Sequence, residues 1–224
     1  MKKISKILLV AAFAVFGAQA FAQTFGVVGG LNMSNLTMKD DDASYDDDFK
    51  MKMGFHVGVT AEFPISDALS FNTGVLLSTK GVKMEATEDY MEVTLTSEGT
   101  YNLMYLDIPL NVKFTKDMGG AKLFGTFGPY VGLALKGTYD MSVSIGGDSE
   151  SESGDLNIGS DEEDDDFKML DFGLMVGAGV EFGPISVGAS YQLGLANISP
   201  YSENGYKINN KVIGISVGYK FGGE

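Results

Sequence analysis

The chain has 224 residues, with 30 Asp and Glu against 16 Lys and no Arg, for a formal charge of -14. A nucleic-acid role is poorly served by that balance, because such proteins need positive charge to replace the counterions of the phosphate backbone. Cysteine is absent, which excludes disulfides, thiolate chemistry and Cys-ligated metals, and the 30 glycines follow no G-x-y period, which excludes a collagen-like chain.

The chain opens on "MKKISKILLVAAFAVFGAQAFAQT". Lys2, Lys3 and Lys6 make a basic start, Ile7 to Gly17 is apolar, and "AQA" and "AFA" offer small-x-small cleavage sites. This predicts a signal peptide over 1–22 and a single mature domain over 23–224. Loss of the three lysines takes the charge from -14 to -17. No later apolar run is long enough for a membrane helix.

From residue 24 onward the hydrophobic period is two, the signature of strands with one apolar face. Eight such segments are predicted, near 24–34, 51–63, 68–80, 101–114, 121–136, 168–182, 185–196 and 206–221. In the sixth, Phe172, Leu174, Val176, Ala178, Val180 and Phe182 alternate with Asp171, Gly173, Gly177, Gly179 and Glu181. In the eighth, Ile213, Ile215, Val217, Tyr219 and Phe221 alternate with Gly214, Ser216, Gly218 and Lys220. Most reach the roughly 9–11 residues that cross a bilayer at a tilt.

The connections alternate in length. Short ones fall at 64–67, 115–120 and 183–184, and long ones at about 35–50, 81–100, 137–167 and 197–207. Short periplasmic turns and long external loops produce this asymmetry in outer-membrane barrels. A weaker strand at "MEVTL" (91–95) or "YDMSVSI" (139–145) would extend a hairpin above the membrane. Much of the acid lies in these loops: "KDDDASYDDDFK" (39–50) holds six acids and "GDSESESGDLNIGSDEEDDD" (147–166) holds ten. Solubility and chain repulsion account for such runs. They also make divalent cations or surface partners conceivable, although neither run has the ligand spacing of a calcium loop.

The expected fold is therefore all-β: an eight-stranded antiparallel up-and-down transmembrane β-barrel, preceded by a signal peptide. Its apolar faces would meet lipid, and its polar faces would fill a narrow interior. Gly and Ser positions would make room there for Tyr105, Lys113 and Glu181, while Asp107, Asp171 and Lys220 would need partners. Phe63, Phe114, Phe182, Phe221, Phe167, Tyr101 and Tyr139 lie near strand ends, where aromatic girdles belong.

Chemistry is sparse. His56 is the single histidine, and Glu62, Ser78 and Asp107 share its strand parity as partners for a Ser-His-acid reading. The glycine pairs at 29–30, 119–120, 146–147 and 222–223 lack nucleotide-binding context. No catalytic or cofactor-binding residue is therefore assigned and no cofactor is expected.

Taken in order, "FGVVGGLNMS" (25–34), "YLDIPLNVKF" (105–114), "FGPYVGLAL" (127–135), "DFGLMVGAGVEF" (171–182) and "YQLGLANI" (191–198) resemble the PorT-type outer-membrane β-barrel proteins of the Bacteroidetes. The likeness runs over essentially the whole mature chain. It implies a signal peptide, eight antiparallel strands, insertion by the barrel-assembly machinery and a place among outer-membrane lipid and lipopolysaccharide. A few family members are linked to secretion or gliding machinery. One departure is that Phe221 stands three residues from the end rather than at it. The expected function is non-enzymatic, structural or surface-binding through the acidic loops. The alternatives are a soluble lipocalin-like ligand binder, an outer-membrane lipid or lipopolysaccharide hydrolase, and a narrow pore.

Overall fold

The computed structural model describes residues 23–44, 49–90, 93–146 and 148–221. The expected signal peptide (1–22) and part of the first acidic run (45–48) lie outside the described residues.

Alternating side chains and glycine-tolerant backbone produce an all-β antiparallel sheet. The strands are β1 (Thr24–Lys39), β2 (Phe49–Lys50), β3 (Lys52–Pro64), β4 (Leu69–Tyr90), β5 (Val93–Asp117), β6 (Lys122–Ile145), β7 (Asp148–Leu156), β8 (Leu170–Phe182), β9 (Ile185–Gly194) and β10 (Lys207–Phe221). The expectation of an eight-stranded up-and-down barrel is corrected by this sheet, which has ten strands. Its order is β2-β4-β3-β1-β10-β9-β8-β6-β5, with β7 off that path on β6. The sheet branches: β4 carries β2, β3 and β5, and β6 carries β5, β7 and β8. The β4–β5 pairing brings the sheet round on itself about a polar interior.

The two extra strands, β2 and β7, arise where loops were expected, and β4, β5 and β6 also extend into those loops. Residues 81–90 continue β4, and 93–100 begin β5, so the second long connection is a hairpin arm. The "YDMSVSI" segment is the end of β6, and β7 returns along it from Asp148. In β7 the serines and acids alternate, which is strand periodicity without hydrophobicity. Composition alone reads as loop there, and pairing to β6 overrides it.

At the opposite end the turns are tight. Gly119 and Gly120 take φ of 81° and 148° in the β5–β6 turn, and Gly183 takes 56° before Pro184 in the β8–β9 turn, conformations that favour glycine. Asp117 accepts the Gly119 amide at 2.7 Å.

The two faces decide the surroundings. Val176, Val187 and Ile215 point outward and are 50%, 44% and 50% exposed. Asn32, His56, Asp107, Lys113 and Asp171 point inward and are buried. A soluble barrel would have the reverse arrangement, so the lipocalin-like reading fails. Hydrocarbon also requires every backbone polar group to be paired, which this ladder supplies along its membrane-length strands. Around the tight-turn end Phe25, Phe114, Phe182 and Phe221 face outward as an aromatic girdle, with Tyr219 and Phe221 packed edge-to-face at 5.2 Å. Phe63, also expected in the girdle, is half-buried with its ring 6.3 Å from that of Phe71, and three other expected members behave differently. Phe167, Tyr101 and Tyr139 turn inward onto a hydrophobic cluster at the mouth, with Tyr101 and Phe167 at 6.3 Å.

Val187→Lys places a charge on the lipid face of β9. It is expected to reduce folding stability in lipid vesicles by about 2–4 kcal/mol in urea titrations, whereas Ser151→Lys on exposed β7 should change little. Equal shifts for the two would contradict the assignment of faces.

Candidate functional site: the polar interior and its mouth

Three networks fill the interior. The first is centred on Lys80. By strand parity Lys80 joins Ser70 and Ser78 on the inward row of β4, and it is wholly buried. Its ammonium lies 2.9 Å from Asp107 Oδ1 and 3.0 Å from Asp171 Oδ2. Tyr130 OH and Asn210 Nδ2 both donate to that Asp171 oxygen, at 3.1 and 3.0 Å. The rings of Tyr105 and Tyr130 flank the ammonium, 4.5 and 4.6 Å from their centroids. One cation thus serves two carboxylates and two aromatic faces, so removing it leaves both acids buried without their cation. Gly132 makes the space: a Cβ there would lie 2.7 Å from Asp107 Oδ1.

The second network sits near the tight-turn end. Lys113 contacts Glu62 Oε2 at 2.8 Å and also pairs closely with Glu181. Lys220 contacts Glu62 at 2.8 Å and Glu181 at 2.7 Å, and Ser70 donates to Glu62 Oε1 at 2.7 Å. Two cations and two carboxylates balance. The expected need of Lys220 and Asp107 for partners is met, but by different groups: Glu62 and Glu181 for the first, Lys80 for the second.

The third network holds His56. Its Nδ1 lies 2.8 Å from Asn32 Oδ1 and its Nε2 lies 2.8 Å from Ser216 Oγ. Asn32 Nδ2 donates to the carbonyls of Phe55 and Thr79 and to Ser78 Oγ. Carbonyls only accept, so the amide orientation is fixed and His56 Nδ1 carries the proton. The partners expected from parity do not assemble: Glu62 and Asp107 serve the lysines, and Ser78 reaches His56 only through Asn32. Ser216, Asn32 and His56 have the connectivity of a Ser–His–Asn triad but lack what acyl transfer requires. Ser216 lies within β10, paired with Gly30 on one side and Gly188 on the other. The regular ladder leaves no pair of free N–H groups there to hold an oxyanion. His56 is packed against Gly30, where a Cβ would meet its Cε1 at 2.7 Å.

Above Lys80 the interior changes character. Leu36, Val82, Leu103, Phe167, Ile198 and Ile208 form a buried apolar cluster. The connection after β9 folds into the mouth over it: Lys168 N donates to Ile198 O at 2.7 Å, Ile198 N to Ile208 O at 2.9 Å, and Asn197 Nδ2 to Tyr206 O at 3.0 Å. A wholly polar interior was expected. The apolar cluster comes from the strand extensions and from residues expected in loops.

Of the acidic runs, 161–166 turns on itself. Asp165 Oδ2 accepts Asp161 N at 2.8 Å, Asp161 Oδ1 accepts Glu163 N at 3.0 Å, and Asp166 Oδ2 accepts Asn157 N at 2.8 Å. Among the described residues no group of three or more His, Asp or Glu is placed to hold a metal ion.

A lipid-facing exterior around a charged, paired interior leaves one class of protein. The chain belongs to the outer membrane protein beta-barrel domain family. The family model matches residues 21–199. Among solved structures the chain is similar to Ail, the attachment invasion locus protein of Yersinia pestis (16% identity, 90% of this chain and 100% of that chain, TM-score 0.34). It is also similar to Neisserial surface protein A (14%, 90% and 100%, 0.37) and to OprG from Pseudomonas aeruginosa (13%, 90% and 97%, 0.44). No curated protein matches the chain by sequence. Membership of this family, with the outward apolar face, locates the protein in the outer membrane.

Lys80→Met is expected to destabilise the folded protein by about 3–5 kcal/mol, because two buried carboxylates lose their cation. The triple variant Lys80→Met, Asp107→Asn, Asp171→Asn should recover most of that loss. Urea titration followed by the folded-to-unfolded shift on unboiled gels measures both.

Proposed function

We propose that this protein is a non-enzymatic surface-binding member of the PorT-type outer-membrane proteins of the Bacteroidetes, working through acidic arms outside the cell. The observation that carries the reading is the inequality of the strands. β8, β9 and β10 have 13, 10 and 15 residues, whereas β4, β5 and β6 have 22, 25 and 24. A bilayer uses about 9–11. At roughly 3.3 Å per residue, the surplus in β4, β5 and β6 projects about 30 Å or more beyond the membrane. Spanning lipid does not require such arms, so a purely structural role leaves them without a purpose, whereas recognition surfaces belong on such projections.

β2 is tied to the first arm by Lys50 Nζ on Glu85 at 2.6 Å. That hydrogen bond and charge hold the Glu85 carboxyl below its usual range. β7 carries alternate acids along the second arm. Insertion by the barrel-assembly machinery and contact with lipopolysaccharide follow from the location, and divalent cations bridging the acidic arms to lipid phosphates belong to the same reading. A pore is disfavoured by the wholly buried Lys80, Asp171 and Tyr105, which fill the interior at one level.

Protease shaving of intact cells is expected to cut near 147–166 and to spare the membrane-length strands. Replacing 84–99 and 139–156 with short turns should leave an inserted, heat-modifiable protein whose cells adhere less to lysine-coated surfaces. Unchanged adhesion would remove the surface-binding reading. In planar bilayers the intact protein should give no steady conductance, and discrete open levels would reinstate the pore.

A further inference from the structure

The mouth contains a bowl of about 540 Å³, within the roughly 300–1,000 Å³ range of small-molecule sites. Its floor is buried and apolar, with Val82, Phe167 and Ile208. Its walls are half-buried tyrosines, Tyr101, Tyr139 and Tyr206. Among the described residues, two charged side chains line it, Glu152 and Asp166, and both are acidic.

The strand register extends this pattern beyond the bowl. Opposed residues of an antiparallel pair share a face. On β6 the face that begins at Tyr139 continues through Met141, Val143 and Ile145. The β7 residues opposite them are Gly154, Glu152, Glu150 and Asp148. Val143 and Ile145 are 40% and 54% exposed, and the three acids beside them are exposed as well. An apolar stripe thus runs out of the bowl beside an acidic stripe. Among the described residues no cation forms a salt bridge with Asp148, Glu150 or Glu152. Tyr139 OH donates to Glu152 Oε1 at 3.2 Å, which joins the aromatic wall to the acidic edge.

We propose that this bowl is a binding site for an organic cation with an apolar body, a hydrophobic amine. The apolar part would rest on Val82, Phe167 and Ile208, among tyrosine faces that attract cations. The ammonium would lie toward Glu152 and the β7 stripe. The site disfavours anions of the same shape because the charged side chains among its described lining residues, Glu152 and Asp166, are both acidic. A neutral acyl chain would fill the floor but leave the acidic stripe unmatched. This inference rests on the surface-binding reading and gives it a ligand class.

Three probes share one skeleton and differ in charge: 4-phenylbutylamine, 4-phenylbutanol and 4-phenylbutyrate. Each is titrated by NMR against the protein in phospholipid nanodiscs, with empty nanodiscs as the blank. The amine is expected to bind about tenfold more tightly than the carboxylate, with the alcohol between them. The amine's advantage should shrink as salt is raised. Glu150→Gln with Glu152→Gln should bring the amine to the level of the alcohol, and Tyr206→Ala should weaken all three. Both variants are checked for the heat-modifiable folded form. Equal binding of amine and carboxylate, no binding of any probe, or an amine preference untouched by the double neutralisation overturns the inference. If the arms still govern adhesion to lysine-coated surfaces in that case, the surface-binding reading stands and the small-molecule site alone falls. If adhesion is also independent of the arms, both fall.

Discussion

Lys80 sits where it does because the surroundings give the chain no other solution. Apolar residues are committed to lipid on the outside, so everything polar on eight long strands must share a narrow space. In that space each buried charge must find its complement within reach. The lower level solves this with two lysines and two glutamates. The middle level uses one lysine between two aspartates, assisted by Tyr130, Asn210 and two aromatic rings. Glycines opposite these groups are the other half of the arrangement, since Gly132 and Gly30 leave room for Asp107 and His56. The exterior hydrophobicity and the interior charge network are one constraint seen from two sides.

The same constraint explains the division along the strand axis. Where the wall faces hydrocarbon, the interior is polar and ionic. Beyond it the ordinary logic of a soluble protein returns: Leu36, Val82, Phe167 and Ile198 turn inward and pack. Tyr101 and Tyr139 follow this second logic, which is why they pack into the mouth instead of ringing the membrane. A single strand such as β6 therefore obeys two rules in turn.

Much of this was legible from residue order. Period-two alternation located parts of β1, β3, β4, β5, β6, β8, β9 and β10, and the choice of outward face followed from which row could not make a hydrophobic core. Three things were less visible. Of the weaker strands expected in the loops, 139–145 is the end of β6 and 93–95 begins β5, but extension through 81–90 and 148–156 was masked by Glu, Asp, Ser and Thr, whose alternation carries little hydrophobic contrast. β2, with two residues, has no pattern to detect. In the interior, Lys80 shared its inward row with Ser78 and could have been found by parity, but its pairing with Asp107 and Asp171 spans three strands. Such closure depends on stagger between strands, which no single segment encodes. The partners of His56 were missed for a similar reason: Asn32 and Ser216 lie on strands from opposite ends of the chain, brought together when β1 pairs with β10.

The free rim of β7 has a consequence for crowding. A strand hydrogen-bonded on one side would ordinarily recruit a neighbour, and a membrane packed with identical copies multiplies the chances. Here each copy would meet another through the same row of carboxylates, so lateral zippering between molecules is opposed by like charge. Spacing in the membrane plane then becomes a property of ionic strength, and dense two-dimensional arrays would require counter-ions to screen that row.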